Sequence, residues 1–369
     1  MDVLVFARHP GGGIRTYIYY VYSNDAFAET NISLLIPETD SMDSLLAGMN
    51  NVGSHIRSRE NVMALLISIF RALFRVRPQV LHSHGFTAGL LAAIPARLLR
   101  VPHVITTHDV LRAPQFPGFF GRLKRRAIGR VLSLATIINP VGNDAAQNLQ
   151  ENYPYLKDNR RLVSIRNGID TVQFLTDRRR NVRQEAGIGQ DSLLVGFFGR
   201  FMAQKGFSTL VEAVAEWNRR EGRRLDVACF GWGGLIREEQ AELRRRGLME
   251  YFHFFPGTDD MPAALRGVDA VVIPSRWEAC PLLPMEAFVA GVPVIGTRCI
   301  GLAEVVDETP AQTFETDSVS GLLECLERFA EQEEGFKKEA DSFRSEAAER
   351  FEVGATARSL HQLFREVVR

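Results

Sequence analysis

The sequence predicts an α/β protein of two doubly wound domains, each a parallel β-sheet covered by helices. Three observations carry this. Short apolar runs alternate with helical stretches along almost the whole chain, the pattern of repeated βαβ units. The runs are nearly free of polar residues instead of alternating with them, as strands covered on both faces require. The length, 369 residues, exceeds the size at which a single core keeps growing, so two domains are the natural count.

Taken in order, Val3–Ala7, Ile32–Ile36, Val80–Ser83, Val104–Thr107 and Thr136–Asn139 read as strands of the first domain. Leu193–Phe198, Asp226–Phe230, Tyr251–Phe255, Ala270–Ile273 and Pro293–Gly296 read as strands of the second. Phe207–Trp217 and Gln240–Arg246 have helical spacing between them. Asn167-Gly-Ile-Asp170, followed by the arginine-rich stretch Thr176–Asp191, marks the boundary, giving domains over 1–172 and 173–350. Thr356–Val368 is amphipathic, so 351–369 is expected to form a helix crossing back to the first domain. Doubly wound sheets bind ligands at the carboxyl ends of their strands. Two of them facing one another would enclose a central cleft.

Composition narrows the function. The chain is 46% apolar and 24% charged, ordinary for a globular protein. Its 44 basic and 44 acidic residues cancel, which argues against a nucleic-acid partner. Cys229, Cys280, Cys299 and Cys325 are scattered, which excludes a zinc ribbon and offers no disulfide framework. Met1–Ala7 reads as a buried strand instead of a signal peptide, and no apolar run reaches membrane-spanning length. A cytoplasmic location is the expectation.

The segment Pro274–Gly296 is the most informative. Glu278 and Glu286 stand with seven residues between them, on a loop after a strand and in the first turns of a helix that Gly291 ends. Loop amides and a helix N-terminus offer donors to an anion, and the carboxylates can accept from sugar hydroxyls. Glu286 alone is equally a helix-start carboxylate set against the macrodipole. In Phe197-Phe-Gly-Arg-Phe-Met-Ala-Gln-Lys-Gly-Phe207, Arg200 and Lys205 sit between a strand and a helix, a setting suited to a diphosphate.

Gly11-Gly-Gly13 follows the first strand, where Gly12 and Gly13 permit close backbone approach to a ligand. The run is not GxGxxG, and no acidic residue follows at the ribose spacing, so a nicotinamide cofactor is disfavoured. Thr106-Thr-His-Asp109 closes a strand with His108. His82 and His84 lack a set of Asp, Glu or Cys partners and read as strand-end residues, not metal ligands.

Together these segments resemble family 4 of the retaining glycosyltransferases, the group 1, glycogen-synthase-like enzymes with the GT-B fold. The likeness lies in the glutamate pair followed by Glu-Ala-x-x-x-Gly-x-Pro-Val-Ile, the Gly-Arg…Lys-Gly element, Thr-His-Asp and Asn-Gly-Ile-Asp, in that family's order across the chain. It implies that Glu278 contacts the transferred sugar, Glu286 the ribose hydroxyls, and Arg200 and Lys205 the donor phosphates. It further implies His108 beside the reacting sugar and the Gly12–Gly13 loop near phosphates and acceptor. The implied activity is retaining, metal-independent transfer from a nucleotide-sugar donor, without a cofactor, to a glycan or lipid-linked glycan in cell-surface polysaccharide or glycoconjugate synthesis. Departures exist. Ala279-Cys280-Pro281 stands where family members carry glycine, and Trp232 replaces a position that is often small and polar. These keep open a GT-B-like epimerase or phosphorylase, or a non-catalytic nucleotide-sugar-binding homologue.

The stretch Gly118–Arg130 is basic, without acids, and apolar on one helical face. Such a helix suits an anionic membrane, or packs on its domain with a solvated basic face.

Overall fold

The computed structural model describes residues 1–38, 49, 51–156, 161–220 and 222–369. The chain divides into two compact units, Met1–Gly168 with Val353–Arg369, and Ile169–Glu352. The first holds β1 (Asp2–Ala7), β2 (Asn31–Pro37), β3 (Val52–Ser58), β4 (Val80–His84), β5 (His103–Thr107) and β6 (Ile137–Pro140). They form one parallel sheet in the order β3-β2-β1-β4-β5-β6. The second unit holds β7 (Leu193–Phe198), β8 (Leu225–Phe230), β9 (Phe252–Phe255), β10 (Ala270–Ile273), β11 (Val294–Thr297) and β12 (Gln312–Phe314). Its parallel sheet runs β12-β11-β10-β7-β8-β9.

Both orders are the same doubly wound topology. Each unit's first strand lies beside its fourth, so strand order reverses between β1 and β4 and between β7 and β10. That reversal point opens a crevice at the carboxyl ends of the strands.

The longer helices are α1 (Gly13–Tyr22), α2 (Val62–Val76), α3 (Phe86–Leu98), α4 (Gly118–Leu132), α5 (Asn143–Asn152) and α6 (Phe207–Trp217). They continue with α7 (Ile236–Arg245), α8 (Leu282–Val289), α9 (Val319–Glu331), α10 (Glu333–Arg350) and α11 (Val353–Val368). In the first unit α2, α3 and α4 connect β3 to β4, β4 to β5 and β5 to β6, all stepping the same way along the sheet. Right-handed crossovers therefore place them on one face. There α2 packs on α3 and α3 on α4. Leu65, Ile69 and Leu73 of α2 and Ala88, Ala92 and Ala96 of α3 bury against Leu4, Phe6 and Leu81 of the strands. Helix α1 steps the other way, and α11 packs on it and on β4. The second unit buries Leu193, Val195 and Val227 of its strands beneath Leu210 and Val214 of α6 and Leu326 of α9. Its two ends are tied where Ile169 N donates to Phe351 O at 2.8 Å.

The structure corrects several boundaries. Two strands, β3 and β12, were not expected, and both are sheet edges. The helix expected over Gln240–Arg246 begins at Ile236, because its first turn is polar: Arg237, Glu238 and Glu239. Tyr251 closes a 3-10 turn, Met249–Tyr251, ahead of β9.

Candidate active site

At the β7/β10 reversal the two loops that leave the strands are locked together. After β7 the chain passes Gly199 and Arg200, makes a 3-10 turn over Ala203–Lys205, and enters α6 through Gly206. Gly206 has φ 61°, and a Cβ there would come within 1.9 Å of Pro274 O. Only glycine allows this approach. Arg276 N donates to Gln204 O at 2.8 Å, completing the link between the loops.

The consequence is a charged pair in a recess. Lys205 Nζ lies 2.7 Å from Glu278 Oε1, and Ser275 Oγ donates to the same oxygen at 2.7 Å. Gln204 Nε2 donates to Trp277 O at 2.9 Å and reaches Glu278 Oε2 at 3.4 Å. Glu278 is only 6% exposed. The recess beside the pair is lined by Phe198, Ile273, Ser275, Pro281 and Leu283. Arg200, on the same loop as Lys205, is exposed, with its guanidinium 5.8 Å from the ring centre of Trp232.

Glu286 is the fifth residue of α8 and 8% exposed. Burial pushes its carboxyl up to about 7. It therefore changes charge in the physiological range, as a structural helix-start carboxylate on a surface would not.

In the first unit the histidines at the strand ends are neutral. Gly12, φ 58°, caps α1, and Gly13 opens the helix with free space where a side chain would stand. His84 Nδ1 and His108 Nε2 lie 3.0 Å apart, so one donates and the other accepts. Tyr17 of α1 sets its ring edge-on to both, with centroids at 5.5 and 4.9 Å. Beneath them His82 Nε2 meets Thr106 Oγ1 at 2.6 Å, and Asn139 Nδ2 donates to Thr106 Oγ1 at 3.0 Å. His82 Nδ1 bonds Tyr22 Oη. Desolvation pushes the His108 imidazole down to about 3, and holds His82 and His84 well below the usual histidine range. All three are uncharged near neutral pH.

The structure thus joins Lys205 to Glu278 directly, keeps Arg200 on the same loop, and sets Glu286 on the helix that follows. Ser275, Gln204 and Tyr17 were missed from sequence. Ser275 had a signal, standing three residues before Glu278 in the same motif. Gln204 and Tyr17 carried none, because their contacts depend on loop and helix placement.

A doubly wound parallel α/β unit with a lysine–carboxylate pair at its reversal point belongs to the class of folds that take ligands at the carboxyl ends of their strands. Two family models then match the chain, Glycosyltransferase Family 4 over residues 11–173 and Glycosyl transferases group 1 over residues 192–332. The chain belongs to the group 1, family 4 glycosyltransferases, with the GT-B fold that its sequence predicted.

Among its relatives, the D-inositol 3-phosphate glycosyltransferase of Nocardia farcinica is 30% identical over 258 residues, 66% of this chain and 54% of that protein. The same enzyme of Actinosynnema mirum is 26% identical over 276 residues, 70% of this chain and 64% of that protein. The chain thus spans less than two thirds of the length of these curated relatives. Among solved structures, Anabaena HepE in complex with UDP-glucose superposes with a TM-score of 0.83 at 17% identity, covering 99% of this chain and all of that one. WaaG, a glycosyltransferase involved in lipopolysaccharide biosynthesis, gives a TM-score of 0.73 at 17% identity, with 99% of each chain covered.

Proposed function

We propose that this protein is a retaining, metal-independent glycosyltransferase that moves a hexose from a nucleotide diphosphate sugar to a glycan or lipid-linked glycan. The observation that carries the reading is the Lys205–Glu278 pair at the β7/β10 reversal, with Arg200 on the same loop and α6 starting behind it. Two cations and a helix N-terminus suit a diphosphate leaving group, and they supply the charge that a divalent metal would otherwise bring. HepE, a structural neighbour, has been solved with UDP and with UDP-glucose, which supports a uridine nucleotide as the first donor to try.

Arg200 and Lys205 hold the diphosphate, Glu286 accepts from the ribose hydroxyls, and Glu278 accepts from the sugar. His108 stands beside the reacting sugar as a neutral imidazole, and Gly12 and Gly13 leave room for phosphate and acceptor. In the transfer the anomeric carbon–oxygen bond to the phosphate breaks, and the acceptor oxygen bonds to the same face. The acceptor's proton passes to the departing phosphate oxygen. No cofactor takes part. The enzyme would work in the cytoplasm, with the basic helix over 118–130 at the inner face of the membrane.

A panel of nucleotide sugars scored by thermal shift tests the donor site, because a ligand of the folded state must raise its melting temperature. One nucleotide class should stabilise the protein and lose that effect in Glu286→Ala. No shift with any donor would sink the reading. For the responding donor, product stereochemistry by NMR and activity in EDTA then test retention and metal independence. An inverted product or loss of activity in EDTA would refute them, and epimerised donor or sugar 1-phosphate would replace the transferase reading.

A further inference from the structure

The two cations of the β7–α6 loop are held in different ways. Lys205 is paired with the Glu278 carboxylate. Arg200 is exposed, and among the described residues its side chain makes no ion pair and no hydrogen bond. What it has instead is the indole of Trp232, with the guanidinium 5.8 Å from the ring centre.

Trp232 follows β8 and is 56% exposed. A single exposed aromatic residue is ordinary; the backbone beneath this one is not. The segments leaving β7 and β8 continue the pairing of their strands, Gly199 N donating to Phe230 O at 2.9 Å and Phe201 N to Trp232 O at 2.8 Å. Glycines flank the indole because side chains would not fit. A Cβ on Gly231 would come within 1.9 Å of Gly199 O, and one on Gly233 within 2.7 Å of Phe201 N. Arg200 stands between the donors Gly199 and Phe201, so its backbone and that of Trp232 are fixed against one another. An aromatic face attracts a guanidinium and leaves its N–H donors unspent. A carboxylate would consume them and have to be displaced. An exposed arginine otherwise samples many rotamers, and a ligand that captures it must order it. A ring that confines the side chain beforehand lowers that cost.

We infer that Trp232 is a positioning residue for donor binding, whose indole holds Arg200 ready for a diphosphate without neutralising it. The inference rests on the proposed place of Arg200 at the donor phosphates. Trp232 acts through the guanidinium and needs no contact of its own with phosphate, base or sugar. Its effect therefore belongs to nucleotide affinity, and it vanishes when Arg200 is absent.

A double-mutant cycle tests it, by calorimetric titration of UDP into the full chain carrying Arg200→Ala, Trp232→Ala, both changes, or Trp232→Phe. Trp232→Ala should weaken UDP binding roughly two- to fivefold, the range of an exposed cation–π pair. Trp232→Phe should recover most of that loss. In the Arg200→Ala background the further change Trp232→Ala should cost nothing. Inorganic pyrophosphate, which has no base to stack on an indole, should lose affinity in Trp232→Ala by the same factor as UDP. In turnover Trp232→Ala should raise KM more than it lowers kcat. Losses that add in the double variant overturn the inference, as do wild-type UDP affinity in Trp232→Ala and a loss seen with UDP but absent with pyrophosphate. Each of these leaves Arg200 at the phosphates. Wild-type UDP affinity in Arg200→Ala instead removes Arg200 from the donor site, and the inference falls with that reading.

Discussion

The carboxyl ends of β7 and β10 and those of β1 and β4 occupy equivalent places in sheets of the same order, yet their chemistry is opposite. The second unit sets an ammonium against a carboxylate, Lys205 on Glu278, with Arg200 close by in sequence. The first sets imidazole on imidazole, His84 on His108, enclosed by Tyr17 and all uncharged near neutral pH. Topology decides where a ligand can be approached; side chains decide what the approach can do. A charged leaving group needs the charged kind of site, whereas the neutral kind costs less to desolvate.

The sharpest way to break this contrast is Lys205→Ala. If the cations of the second unit carry the developing charge, kcat/KM should fall by about a thousandfold, the upper range for removing one transition-state donor. Circular dichroism should show the fold retained. Near-wild-type turnover would dissolve the distinction between the two strand ends.

Glu286 offers a test through pH. Its carboxyl, buried to 8% exposure, has an ordinary value of 4.5 and sits near 7 in the folded protein. Between those values the folded state keeps a proton that the unfolded chain has lost. Stability from this group is therefore complete below about 4.5 and is lost as pH rises through 7. The whole effect is about 3 kcal/mol. Glu286→Gln should flatten that decline in denaturant titrations, and an unchanged slope would refute the assignment. Donor affinity should run the other way, strengthening above pH 7 as the carboxylate forms.

Much of this was legible in the sequence, and the exceptions have physical causes. Central strands such as β1 and β7 are buried on both faces and read as unbroken apolar runs. The edge strand β3, Val52-Gly-Ser-His-Ile-Arg-Ser58, is half solvated, so its apolar residues are sparse. β12 has only three residues. Glu278 and Lys205 stood out through their motifs, but their contact spans 73 positions and depends on how two loops meet across Gly206. The pairing of His84 with His108 needed the register of β4 on β5, which sets His84 against Thr106.

In the first unit Thr106→Val probes whether the neutral network is tied together as the geometry shows. The hydroxyl serves both His82 Nε2 and Asn139 Nδ2 in a buried setting. Valine keeps the shape and strands two polar groups, at a cost of about 2 kcal/mol. A melting temperature within error of wild type would mean that water or rotation satisfies them, and the unit would lose its claim to a fixed neutral site.

The smallest expected effect separates the two halves of the charged pair. Lys205 is held by Glu278 at 2.7 Å, so a diphosphate bound by this lysine, as proposed, would have to draw it away from a carboxylate that is 6% exposed. Uncompensated buried charge is costly. If Glu278 accepts from the sugar as proposed, the hydroxyls of a complete donor would take the lysine's place, and the spent nucleotide would not. Glu278→Gln should therefore bind UDP about tenfold tighter, a gain near 1.4 kcal/mol, while turnover drops. Calorimetric titration of UDP into both proteins reads this directly. Equal affinities would mean that Lys205 serves diphosphate and carboxylate together, and that the pair is a fixed cradle and not a contact exchanged when the sugar leaves.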